Sequence, residues 1–159
     1  MFLNSNQKLG DGWPDLALFS YYYGRKDVSL LGIYAGPRWT FGRVGVEFKT
    51  GAYGGNDLET KAILNNQVDF TSKYFSAAFF TDYYPKSEVY SYLSALFTLG
   101  PLYLGAVGDL THDWGPYTGT ITSAGPLIGV GTKGLYLGTA LLFRSDQTQA
   151  IRLTLGLTL

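Results

Sequence analysis

The sequence predicts an all-β chain, an antiparallel up-and-down transmembrane β-barrel of about ten strands joined by short hairpin turns. Eight strands result if the shorter pieces are halves divided by a bulge. Three observations carry this expectation. Gly (21), Tyr (13), Phe (10) and Trp (3) crowd 159 residues with a single Met, a composition suited to strands and poor for helices. Apolar and polar residues alternate with period two in several segments. Charged residues make up 15% of the chain, against roughly 25% in an ordinary water-soluble domain.

The length fits one domain, 1–159, with residues 1–14 as a polar, glycine-bearing lead-in broken by Pro14. From Leu16 onward, short apolar or aromatic runs alternate with turn-forming residues at hairpin spacing. The expected strands are 15–23, 28–36, 38–50, 67–83, 87–99, 102–112, 118–124, 127–132, 135–144 and 149–158. Ala35-Gly36-Pro37, Leu99-Gly100-Pro101 and Ala124-Gly125-Pro126 read as sharp turns, because proline cannot donate to a ladder and glycine accepts positive φ. Gly24 to Asp27, Tyr84 to Ser87 and Arg144 to Gln147 read as further short links. Gly51 to Asn66 reads as the one substantial loop, within which Leu58 to Gln67 is open to a short helix, an extra strand or a rim loop.

The final segment alternates most strictly. Ile151, Leu153, Leu155, Leu157 and Leu159 take one face, and Arg152, Thr154, Gly156 and Thr158 the other. In 38–50, Val44, Val46 and Phe48 oppose Arg43, Gly45, Glu47 and Lys49. In 87–99, Val89, Leu93, Ala95, Phe97 and Leu99 oppose Glu88, Tyr90, Tyr92 and Ser94. Val68 and Phe70 oppose Gln67, Asp69, Thr71 and Lys73. Alternation alone cannot say which face meets oil. Low charge and the aromatics near strand ends (Trp13, Trp39, Trp114, Tyr21, Tyr22, Tyr23, Tyr83, Tyr84, Tyr117) favour lipid outside and charge inside. In hydrocarbon each unpaired backbone group costs several kcal/mol, so this reading requires a closed sheet. Most segments reach the roughly 9–11 residues needed to cross, and 118–124 and 127–132 fall short.

Several chemistries are excluded. Cysteine is absent, which removes disulfides, thiolate nucleophiles and cysteine-bound metal, and His112 is the only histidine, so no multi-histidine metal site exists. Twelve basic and twelve acidic residues leave no net field to hold nucleic acid. No apolar run of 18 residues offers a membrane-spanning helix, and the first residues lack the basic-then-apolar pattern of a secretory leader, so the barrel reading needs that leader to have been removed. The glycines fall in sheet-like contexts with no following helix, and no phosphate loop is present.

Taken whole after about Asp15, the chain resembles the small outer-membrane β-barrel proteins of Gram-negative bacteria, in architecture rather than through a family motif. Arg152 to Leu159 looks like the terminal strand that outer-membrane assembly machinery reads, although it ends in Leu159 and not in an aromatic residue. The resemblance implies a place in the cell outer membrane, with membrane lipid, lipopolysaccharide included, as partner. Barrel enzymes that deacylate lipid A pair histidine with serine on one strand, whereas His112 is followed by Asp113-Trp114-Gly115; the acidic pairs of outer-membrane aspartyl proteases are also missing.

With apolar faces toward lipid, the lumen-facing residues are Arg43, Glu47, Lys49, Asp69, Lys73, Glu88, Tyr90, Tyr92, Asp109, Arg144 and Arg152. Balanced signs suit a self-filled interior of ion pairs and tyrosine hydrogen bonds; a narrow wet path through the same groups is the sharper alternative. Tyr90, Tyr92, Tyr103 and Tyr136 share that face with Gly105, Gly138 and Gly156, large against small, which fills a narrow barrel or shapes a slot for an apolar molecule. His112 with Asp109 and Asp113 is the one grouping a catalytic reading can use, with Ser91, Ser94 or Ser123 as the nucleophile. The expected function is a non-enzymatic structural barrel or small-solute channel of porin type, without cofactor or metal. Its rivals are a lipid-modifying hydrolase and a barrel that binds an apolar ligand.

Overall fold

A computed structural model describes residues 2–10, 13–25, 28–55, 58–85, 87–114, 118–132 and 135–157, and for 2–5, 21–25, 28–30, 58–59 and 155–157 the backbone course alone. The chain forms eleven strands: β1 (Phe2–Gln7), β2 (Asp15–Arg25), β3 (Val28–Phe41), β4 (Val44–Gly55), β5 (Leu58–Thr71), β6 (Phe75–Tyr84), β7 (Glu88–Leu99), β8 (Leu102–Asp113), β9 (Gly119–Thr132), β10 (Leu135–Arg144) and β11 (Gln149–Leu157). They make one antiparallel sheet in which each strand pairs with its neighbours in sequence, from β1 to β11.

The expected closed barrel is therefore corrected to an open sheet. Pairing starts at β1 and stops at β11, and among the described residues no ladder joins these two edges. The edges do approach each other, because the layer bends around its polar side. The accessible surface, 10462 Å², also exceeds the roughly 7,900 Å² of a compact 17.4 kDa chain. Outer-membrane location, porin-type transport and the resemblance to small outer-membrane barrels all rested on closure, and they fall with it. So do the rival readings that needed a barrel wall, the lipid-modifying hydrolase and the apolar-ligand barrel. Alternation had suggested closure, but alternation fixes only which face a side chain takes and is the same in an open sheet. No described helix is long and apolar enough to cross a membrane.

Of the three Gly-Pro turns, one exists. Gly100 (φ +64°) and Pro101 join β7 to β8. Gly36-Pro37 lies inside β3 and Gly125-Pro126 inside β9. Both interior pairs keep their ladder on one side, to β2 and to β8, and skip it on the other, to β4 and to β10. A Cβ at Gly36 would overlap the carbonyl oxygen of Phe48, and one at Gly125 that of Leu141. Each pair thus lets the strand bend tightly against a neighbour without ending it. Consequently 28–36 continues to Phe41, and 118–124 fuses with 127–132.

The count of ten is corrected to eleven for two further reasons. Phe2–Gln7, expected in the lead-in, pairs with β2, and the expected loop Gly51 to Asn66 is mostly the β4–β5 hairpin. The single segment 67–83 is in fact the end of β5, a turn at Ser72 to Tyr74, and β6.

The two faces differ sharply. On the polar side Glu47 is 1% and Lys49 4% exposed, along with buried Asn65, Asp82, Ser94 and Ser123. Two apolar clusters share that side: Tyr34, Tyr53 and Ile63 in the first half, and Val107, Leu127, Ala140 and Leu142 in the second. The opposite face exposes Ile33, Phe48, Leu64, Val68, Phe79, Leu93, Phe97, Ile128, Leu137, Ile151 and Leu153. Leu155, Leu157 and Leu159, expected on the same face, lie outside the residues whose side chains are described, as do Tyr21, Tyr22, Tyr23 and Tyr117.

Candidate functional site

The polar side carries two side-chain networks built from cross-strand register. Arg38 on β3 lies opposite Glu47 on β4, and Gly45 opposite Asp69 on β5. Arg38 donates to Glu47 and, through both terminal nitrogens, to Asp69 at 2.7 and 3.0 Å. Lys49 donates to Glu47 and to Gln67 at 3.3 Å. The hydrogen bond with Asp69 is the largest influence holding the Arg38 guanidinium protonated, above its ordinary value. Gly45 is needed here, because a Cβ at that position would fall on the Arg38 guanidinium and crowd Asp69.

One row along, Lys49, Asn65 and Asp82 sit opposite one another on β4, β5 and β6. The Asn65 amide donates to Asp82 at 2.6 Å, and the Tyr34 hydroxyl, three strands away on β3, donates to it at 3.3 Å. Burial pushes the Asp82 carboxyl above its ordinary value, against the pull of Asn65, Tyr34 and Lys49. Glu88 on β7 is raised too, by burial first and then by Asp113 and Asp82.

The second network gathers Asp109 on β8, Ser123 on β9 and Arg152 on β11. Both Ser123 and Arg152 donate to Asp109, and the Arg152 guanidinium lies 5.5 Å from the Tyr92 ring centre. Burial pushes the Tyr90 hydroxyl up to about 12. Tyr103 and Tyr136 meet edge to face at 5.1 Å beside Gly129 and Gly138, where a Cβ would strike the Tyr136 ring.

The eleven residues expected to face inward divide into two groups. Glu47, Lys49, Asp69, Asp109 and Arg152 join the buried networks, with Tyr90 and Tyr92 beside the second and Glu88 beyond Asp82. Arg43 is exposed in the β3–β4 turn, and Lys73 is exposed in the β5–β6 turn, 4.8 Å from the Tyr74 ring centre. Arg144, at the end of β10, pairs with Asp146 at 3.7 Å near solvent.

The catalytic grouping does not assemble. Asp109 and Asp113 share one face of β8, and His112 takes the other. His112 Nδ1 is bonded to the Thr120 hydroxyl at 2.7 Å, and its ring lies against Trp114. Ser91 bonds Thr81 at 3.1 Å, Ser123 serves Asp109, and Ser94 is buried on the polar side. Among the described residues no group of three or more His, Asp or Glu side chains could hold a metal ion.

Arg38, Tyr34, Asn65 and Asp82 were missed by sequence reasoning. Arg38 and Glu47 fall on opposite faces if 38–50 is one strand, and the turn at Gly42 and Arg43 between β3 and β4 resets that parity. Asp82 falls on the wrong face if 67–83 is one strand, and the turn at Ser72 to Tyr74 resets that parity.

The apolar face is bordered by aromatic groups at both strand ends. Tyr83 and Trp114 meet at 5.9 Å with His112 beside them at one end; at the other, Phe70, Phe75 and Phe97 form a chain and Trp39 meets Phe48 at 6.1 Å. Compared with models of known protein families, with curated proteins and with solved structures, the chain matches none of them.

Proposed function

We propose that this chain is a non-enzymatic lipid-binding β-protein whose exposed apolar face is covered by the acyl chains of membrane lipid. The observation that carries the reading is the inverted polarity of the sheet: Glu47 and Lys49 are at most 4% exposed, while Ile151 and Leu153 are about three-quarters exposed. Burying ions and exposing leucines in water is unfavourable on both counts, since each exposed large aliphatic side chain forgoes about 1.5–3 kcal/mol of transfer free energy. An apolar patch of this extent marks an interaction surface.

Two features favour lipid over a protein partner. Aromatic residues border the apolar zone at both ends, where their amphipathic rings suit the boundary between acyl chains and headgroups. Phe75 and Tyr83 lie eight positions apart on β6, about 26 Å of strand. The separation of His112 from the carboxylates on its strand supports the non-enzymatic part.

The test is quenching of the intrinsic tryptophan fluorescence by phosphatidylcholine vesicles whose acyl chains carry bromine. Lipid contact gives strong quenching that weakens when Trp39 and Trp114 are changed to Phe. A chain that is monodisperse in plain buffer and not quenched overturns the proposal, as does a lipid-free dimer that hides the apolar face.

A further inference from the structure

We infer that Asp82, Asn65 and Glu88 form a binding site for a hard, oxygen-seeking divalent cation of the calcium class on the polar side of the sheet. Three observations converge. The first is charge. The buried block formed by Arg38, Glu47, Lys49, Asp69 and Asp82 holds two cations against three carboxylates, and the pairings of Arg38 and Lys49 are spent on Glu47 and Asp69. Asp82, 7% exposed, accepts hydrogen bonds from neutral donors, the Asn65 amide and the Tyr34 hydroxyl, and Lys49 acts on it only through space. No described lysine or arginine lies within ion-pair reach of Asp82 or Glu88.

The second is an orphaned acceptor. Asn65 is 6% exposed and its Nδ2 donates to Asp82, yet its Oδ1 is buried and accepts no hydrogen bond. A buried carbonyl oxygen left without a donor costs about 1–3 kcal/mol. Rotating the amide does not help, because it would set that oxygen against the Asp82 carboxylate.

The third is register and donor chemistry. Asp82 lies opposite Tyr90, and Glu88 opposite Tyr84, so Asp82 and Glu88 are diagonal neighbours on adjacent strands. After burial and Asp113, the Asp82 carboxylate raises the proton affinity of Glu88. Two carboxylates and an amide carbonyl form an all-oxygen set, which selects calcium-like ions over zinc or copper. Lys49, whose Nζ is bound to Glu47 and Gln67, is the cation that faces the site from β4, and it keeps the affinity modest. A dissociation constant of order 10⁻³ M fits so few protein ligands. The inference does not depend on lipid binding.

The test is the unfolding midpoint of the full chain during calcium chloride titration, against sodium chloride at matched ionic strength, with terbium(III) emission sensitised by neighbouring tyrosines as a second readout. The wild type shows a saturable, calcium-specific rise in midpoint and terbium emission that calcium displaces. Asp82→Asn abolishes both. Asn65→Asp supplies a third carboxylate and tightens binding at least several-fold, which decides the matter if Asp82→Asn fails to fold. Absence of a calcium-specific shift in the wild type, its survival in Asp82→Asn, or unchanged affinity in Asn65→Asp overturns the site.

Discussion

Replacing Arg38 with methionine tests how the polar side is held together. Glu47 has no exposed side-chain surface, Asp69 retains 17% and Arg38 15%. Removing the guanidinium leaves Asp69 with no cation among the described residues and Glu47 with Lys49 alone. Breaking a buried pair from one side costs about 3–5 kcal/mol, because a charge stays desolvated without its partner. The partial exposure of Asp69 places Arg38→Met near the lower end of that range. Adding Asp69→Asn removes the stranded charge and leaves the Lys49–Glu47 pair balanced, so the double variant recovers at least half of the loss. Urea unfolding followed by near-ultraviolet circular dichroism, with unchanged dependence on denaturant, measures both. A loss under about 1 kcal/mol, the level of a surface ion pair, would refute the reasoning, and so would a double variant no better than the single one.

Other outcomes follow from particular residues. Because the folded sheet raises the Asp82 carboxyl, the native state holds its proton to higher pH than the unfolded chain does. Without calcium, stability relative to Asp82→Asn therefore falls as pH rises from the ordinary carboxylate range through the raised value, measurable as the difference in urea midpoints across the acid-to-neutral range. Gln147 takes a left-handed conformation (φ 65°) in the β10–β11 turn, so Gln147→Gly gains about 1 kcal/mol, read from the shift in thermal midpoint. Gly125→Ala sets a methyl group into the Leu141 carbonyl and lowers the urea midpoint far more than Gly42→Ala, whose Cβ meets open space and is strained only by its φ of +63°. Since no ladder joins the sheet's edges, outward amides of β1 and β11 exchange with deuterium much faster than those of β4 and β8; equal protection would contradict the open sheet.

The strand signal was legible because alternation is local, and the assignments within 87–99, 102–112 and 135–144 match β7, β8 and β10 to within one or two residues. What failed depended on information that a local pattern does not hold. Gly-Pro reads as a turn from backbone preference, yet at Gly36 and Gly125 the same preference serves a bend inside a strand that keeps one ladder intact. Parity propagates errors: a missed turn at Ser72 to Tyr74 hid Asp82, and a missed turn at Gly42 and Arg43 hid Arg38. Closure is a relation between the first and last strands and leaves no mark on either. Of the candidate site, Glu47, Lys49, Asp69, Asp109 and Arg152 were legible because ions on a half-apolar strand must be paired. Which partner each one took depended on register and on the bend of the sheet.

The Arg152–Asp109 contact shows what that bend achieves. In a sheet with strands about 4.8 Å apart, β8 and β11 are separated by some 14 Å, more than an arginine and an aspartate span when both stand upright from a level surface. Their hydrogen bond, like that of Tyr34 to Asp82 across β3 to β6, requires the layer to wrap its polar side inward. Wrapping brings ions from non-adjacent strands together and removes them from water, and it spreads the opposite face outward, which opens the apolar side chains to whatever surrounds them. Buried charge and exposed leucine are thus two results of one curvature. A substitution that loosens the Arg38 or Arg152 network should therefore weaken lipid contact at distant Trp39 and Trp114, although neither tryptophan is a partner in those networks. Bromolipid quenching of Arg152→Met measures this directly. Undiminished quenching together with a lowered unfolding midpoint would separate the two faces and remove the link argued here.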